Sequence, residues 1–194
     1  MMATGETTAE KILETGRQLI MRRGYNGFSY ADIADAVDIR KASIHHHFPA
    51  KADLALAVVK QSRERFDADM AALQASGADP LTQLRAYVGY WEQCIADDSA
   101  PFCVAGMLGA ELPTLPDEVA QEVRTHFEDV ARWLEHVLAS GAENHQLQLK
   151  GTAKAEAETF VSLVYGAMLA ARAYGNTRLF REVTNDAIER LIRT

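Results

Sequence analysis

The stretch from residue 40 to residue 51 gathers the side chains with the most evident chemistry: Arg40, Lys41, Ser43, His45, His46, His47 and Lys51. Guanidinium, ammonium, hydroxyl and imidazole groups can all donate hydrogen bonds, and such a set suits phosphate oxygens and base edges. Three consecutive histidines also suggest a metal, but helix geometry argues against one. Successive helical residues point ~100° apart, whereas shared coordination from a helix needs i and i+3 or i+4. No HExxH, CxxC or paired-Cys zinc spacing occurs. Catalytic signals are equally thin: there is no Gly-rich phosphate loop and no nucleophile elbow. The adjacent acids Asp97 and Asp98 fall at an expected helix end, where solvated carboxylates are ordinary. The expectation is therefore no metal, no cofactor and no catalytic residue.

A second set combines aromatic rings with sulfur. Tyr87, Trp91, Cys94, Phe102, Cys103, Met107, Phe127, Tyr165 and Met168 could line a small-molecule pocket between helices. Aromatic residues at helical spacing are equally the material of a packed core, so each has packing as its competing reading. Arg172, beside the apolar stretch 160–171, either ends its helix in water or faces an anionic ligand. Two cysteines are too few for a secreted disulfide framework. The start MMATGETTAEK lacks the basic and apolar segments of a signal peptide. A cytoplasmic location with free thiols is expected.

The elements that must position these groups read as helices. At 194 residues, 48% apolar and 24% charged, the chain suits one or two small globular domains and excludes a disordered or collagen-like protein. No apolar stretch approaches the roughly 18 to 20 residues of a bilayer span, so no membrane is expected as partner. Net charge is −7, yet residues 1–51 carry seven Lys/Arg against six Asp/Glu. Any nucleic-acid binding must therefore use the N-terminal quarter. Periodicity places helices over about 8–23, a short one after Ser29, and another over 41–47. Longer ones follow over 51–75 and 80–96, then a short apolar helix after Pro101, then 117–140, 153–174 and 178–193. Gly24, Pro49 and Gly141 serve as stops. Nothing alternates with period two, so the fold class is all-α: about nine helices, with a three-helix head over 1–50 and a helical body over 51–194.

Two short helices joined by the turn Asp38-Ile39-Arg40, behind a longer helix, form the helix-turn-helix arrangement that sets its second helix in the DNA major groove. Ile44 and Phe48, at i and i+4, supply the inner face of that second helix, and the basic and His side chains crowd the outside. The segment FSYADIADAVDIRKASIHHHFPAKADL, residues 28–54, resembles the DNA-binding signature of the TetR family of repressors. The matching features are Ile33-Ala34, the turn, the small pair Ala42-Ser43, the His45 to Phe48 ending, and Lys51 with Leu54. Asp38 stands where Gly is usual, and His45 where Tyr is common. Asp tolerates left-handed geometry better than most residues, which preserves the turn.

The resemblance implies a DNA-binding head, a ligand-binding body and dimerisation through the last two helices. It assigns phosphate contacts to Ser29, Tyr30 and Lys51, and base reading to Arg40, Lys41, Ala42 and Ser43. His45, His46 and His47 divide between phosphate contact and packing. The segment 102–119 further resembles a branch in which a Cys, eight residues before a Glu, senses electrophiles; Cys103 and Glu111 have that spacing. A buried apolar Cys is inert unless its pKa is lowered, so Cys103 is either sensor or core. Small residues Gly166, Ala167, Ala170 and Ala171 leave room for a second helix. The implied function is a ligand-responsive repressor, homodimeric on a palindromic double-stranded operator and released by a small-molecule or electrophile inducer. The rival reading is an all-helical small-molecule enzyme with a coincidental head.

Overall fold

The computed structural model describes residues 7–192, and they form nine α-helices and one 3₁₀ turn with no strand among them. The helices are α1 (Thr8–Arg23), α2 (Tyr30–Val37), α3 (Lys41–His47), α4 (Lys51–Ala75), α5 (Pro80–Ala96), α6 (Val104–Gly109), α7 (Asp117–Glu143), α8 (Ala153–Tyr174) and α9 (Thr177–Ile192). Arg193, expected as the last helical residue, lies outside the described residues.

The chain divides into two compact units. The first runs up to Arg65 and takes in Cys103–Thr125, so it unites the three-helix head with the start of α4, α6 and the start of α7. Its helices begin where capping chemistry requires. Thr7 and Glu10 form a capping box on α1, and Ser29 and Asp32 form another on α2. Ile12, Ile20, Ile33, Ile44, Leu54, Val59 and Leu108 are fully buried there. Packing of α1 on α2, α3 and α6 encloses that core. Arg63 of α4 pairs with Glu122 of α7, and both side chains are largely shielded from water.

The second unit comprises Phe66–Phe102 and the chain from His126 onward. Here α8 and α9 pack side by side, and α9 also packs on α5. Leu84, Leu134, Leu138, Val164 and Phe180 are fully buried. Thr184, also fully buried, resolves its hydroxyl by donating to the Phe180 carbonyl at 2.8 Å. Asp79 caps α5 ahead of Pro80.

One stop differs from expectation. α7 passes through Gly141 and ends at Glu143. Gly141 is buried, and a Cβ there would lie 2.4 Å from Leu147 Cδ1, so this glycine permits close approach of the returning loop. The chain turns instead at His145, whose φ is 56°.

Candidate nucleic-acid interface

The turn between α2 and α3 depends on one left-handed residue. Asp38 has φ 57° and ψ 52°, and its amide donates to the Ala34 carbonyl. The Ile39 amide donates to the same oxygen at 3.0 Å. The chain thereby reverses within three residues and starts α3 at Lys41, with Arg40 at the N-cap. Ile44 is fully buried and anchors α3 to the head, and Phe48 is half-buried.

Apart from Ile44, α3 is largely open. Arg40, Lys41, Ala42, His45, His46 and His47 are exposed, Ser43 is half-buried, and Ser29 is exposed at the start of α2. His46 and His47 meet edge to face at 5.3 Å. His45 is exposed but engaged: its Nδ1 lies 3.1 Å from the Pro49 carbonyl, and its ring meets Tyr30 at 4.9 Å. Among the described residues no group of His, Cys, Asp or Glu could hold a metal ion.

Two of the expected phosphate donors are turned inward. Tyr30 is buried, and its hydroxyl donates to the Phe48 carbonyl at 2.8 Å. Burial, followed by the Asp53 and Tyr25 charges, pushes its pKa up to about 12. Lys51 donates to the Phe28 carbonyl, with its ammonium 4.2 Å from the Phe28 ring centre and 4.8 Å from that of Tyr25. Burial lowers its pKa, opposed by the Glu111 and Asp32 carboxylates. Residue type and spacing alone could not reveal these inward orientations.

The nine aromatic and sulfur residues are divided between the two units. Cys103 and Met107 belong to the first unit, and the other seven to the second. Cys103 is 4% exposed and occupies the N-cap of α6 rather than its first turn, without a side-chain capping bond. In the second unit, Tyr87 meets Phe66 at 6.3 Å and Trp133 at 5.5 Å, and Phe66 also meets His126 at 5.8 Å. Phe127 and Tyr165 lie 4.7 Å apart, and His126 Nε2 is 3.1 Å from the Tyr165 hydroxyl. Tyr87, Cys94, Phe102 and Met168 are buried, whereas Trp91 is half-buried against Tyr90. Arg172 is exposed and lies over Phe102 at 5.7 Å.

Sequence reading passed over Phe66 and His126. The signal for His126 was present, since it stands at i+3 from Val123 and i−4 from Val130, both buried on α7. The buried indole nitrogen of Trp133 has no hydrogen-bond partner.

A three-helix head with a buried anchor and an open basic and imidazole face on its second short helix defines a helix-turn-helix DNA-binding regulator. The comparisons agree with this class. Residues 12–58 match the family described as "Bacterial regulatory proteins, tetR family", and residues 80–187 match "Tetracyclin repressor-like, C-terminal domain". The chain belongs to the TetR family of transcriptional regulators. A TetR-family regulator from Agrobacterium tumefaciens is 51% identical, with a TM-score of 0.93 over 95% of this chain and 97% of that one. The repressor NemR of Escherichia coli K12 is 24% identical over 173 residues, covering 87% of this chain and 86% of NemR. The reduced form of E. coli NemR, 23% identical, shares the fold with a TM-score of 0.80 over 97% of this chain and 98% of that one. No helix among the described residues is long and apolar enough to cross a membrane.

Proposed function

We propose that this regulator acts in the cytoplasm as a homodimeric repressor on a palindromic operator, through the last two helices of each copy. A small molecule held in the helical body, or an electrophile at Cys103, releases it. The observation that carries the DNA side is the exposure of Arg40, Lys41, His46 and His47 around the single fully buried anchor of α3, Ile44. Arg40, Lys41, Ala42 and Ser43 read bases, and Ser29 and the imidazoles contact phosphate. Lys51 reaches phosphate with donors of its ammonium left over from Phe28, because an ammonium carries three. Tyr30 acts by holding Phe48 in place.

The dimer reading rests on α8. Leu169 is 59% exposed, and a Cβ added at Gly166 would meet nothing within 4 Å. Ala170 is half-buried beside them, while Ala167 and Ala171 are buried in the chain's own core and leave the stripe. An exposed leucine between small residues suits a helix from a second copy.

The ligand reading rests on the rings of Phe66, Tyr87 and Trp133, with Phe127 and Tyr165 nearby, and on the unpartnered Trp133 N–H, which a ligand acceptor would satisfy. Trp91, Cys94, Phe102 and Met168 of the same unit are further candidates for ligand contact, and Met107 accompanies Cys103 in the other. Release requires the inducer to bind the DNA-incompetent arrangement more tightly, since equal affinity shifts nothing.

Selection on random duplex DNA, followed by sedimentation, tests the proposal. An inverted repeat should emerge and the protein should sediment as a dimer at micromolar concentration. Leu169→Glu should yield monomers that lose the operator, and Arg40→Ala should relax base preference at its position. A wild-type monomer that selects a single half-site would overturn the reading.

A further inference from the structure

The turn joining α1 to α2 is held by a side chain from a distant part of the sequence. The Glu111 carboxylate accepts from the Tyr25 amide through one oxygen. Its other oxygen accepts from the Asn26 amide and the Asn26 side-chain nitrogen, each at 3.2 Å. Asn26 Nδ2 also donates to Thr114 Oγ1 at 3.2 Å, and that hydroxyl donates to the Glu111 carbonyl at 2.9 Å. The backbone is shaped to admit the carboxylate: Gly24 has φ 73°, and a Cβ there would lie 2.5 Å from Glu111 Oε2. On the same turn, Lys51 grips the Phe28 carbonyl and the Tyr25 and Phe28 rings.

Residues 24–28 are thus held by α4 through Lys51 and by the segment after α6 through Glu111. All of these groups belong to one compact unit, in which α6 packs on α1. The turn leads directly into Ser29, the cap of α2, and Arg23 at its near end pairs with Asp32 of α2 at 3.0 Å. A displacement of α6 therefore has a charge-assisted route to the orientation of α2 and α3.

We propose that Glu111 is a positioning residue for DNA recognition: by holding the Tyr25 and Asn26 amides it ties the segment after α6 to the α1–α2 turn and orients the recognition helix. The inference rests on the DNA-binding reading of the head. A weakened clasp leaves the basic face intact but imprecisely aimed, so it costs discrimination between sequences more than general attraction to phosphate.

The test compares wild type with Glu111→Ala and Glu111→Gln on a duplex selected by the wild-type protein and on an unrelated duplex, with circular dichroism to verify helicity. Glu111→Ala should lose about tenfold in the ratio of selected to unrelated affinity, a usual size for intersite coupling. Its affinity for unrelated DNA should stay within about twofold of wild type. Glu111→Gln, which keeps one carbonyl acceptor, should recover part of the ratio. Hydrogen exchange at the Tyr25 and Asn26 amides should quicken in Glu111→Ala while that of Ile44 does not, and this readout stands whatever the DNA result. An unchanged ratio, an equal loss on both duplexes, or unchanged exchange at Tyr25 and Asn26 would overturn the proposal. A wild-type protein that selects no sequence would instead overturn the function on which it rests.

Discussion

Replacing Asp38 with Gly should stabilise this protein, although Asp38 sits in the turn that defines its DNA-binding head. Its φ of 57° and ψ of 52° are left-handed, which costs a typical L-residue about 1–2 kcal/mol and Asp somewhat less. The carboxylate also stands at the C-terminal end of α2, where the carbonyl dipoles gather negative charge. Its removal there contributes about 0.3–1 kcal/mol. Against these gains, Gly adds unfolded-chain freedom worth about 0.5–1 kcal/mol. The net is a gain of about 0.5–1 kcal/mol, or a rise in Tm of about 1–4 °C for a chain of this size. Asp38→Ala loses the same charge but keeps the left-handed cost and the β-carbon, so it should melt below Asp38→Gly. Thermal circular dichroism at one protein concentration separates the two, since concentration shifts the melting of an oligomer. An Ala variant at least as stable as the Gly variant would refute the backbone argument and leave charge as the cause. Operator affinity should rise slightly in both variants, because each removes a negative charge beside α3, the proposed recognition helix.

Two further outcomes follow from buried and capping groups. Cys103 is 4% exposed, so a small thiol reagent such as methyl methanethiosulfonate should release wild-type protein from its operator faster than a bulky one, and Cys103→Ser should not be released; equal release of the serine variant would make Cys103 a core residue. The Thr7 amide and hydroxyl hold the Glu10 carboxyl below its usual range, the Ser29 amide and hydroxyl do the same for Asp32, and the Thr82 hydroxyl and amide for Asp79. A lowered folded pKa adds stability that is present above the ordinary carboxylate pKa and lost as pH falls through the folded one. Thermal melts should therefore drop below about pH 4, and Asp32→Ala should flatten its share of that drop; an unchanged acid profile in that variant would refute its capping role.

The sequence by itself determined the helices and the turn of the helix-turn-helix, because both depend on neighbours close in the chain. Ser29 and Asp32 cap α2 within one turn, Asp38 takes the left-handed conformation that a short polar side chain tolerates, and Ile44 and Phe48 share the inner face of α3 by their i, i+4 spacing. Gly141 misled for the same local reason: a glycine after an amphipathic run resembles a stop, and only Leu147 folding back against it shows why the helix continues. Tertiary structure alone decided where the flexible and distant groups go. Lys51 and Tyr30 turn inward because the Phe28 and Phe48 carbonyls await them in the folded head. Ala167 is buried while Gly166 is open, although both are small residues on one helix. Glu111 meets Tyr25 and Asn26 across some 85 residues, a pairing for which chain spacing carries no signal because only the packing of α6 on α1 brings the two segments together.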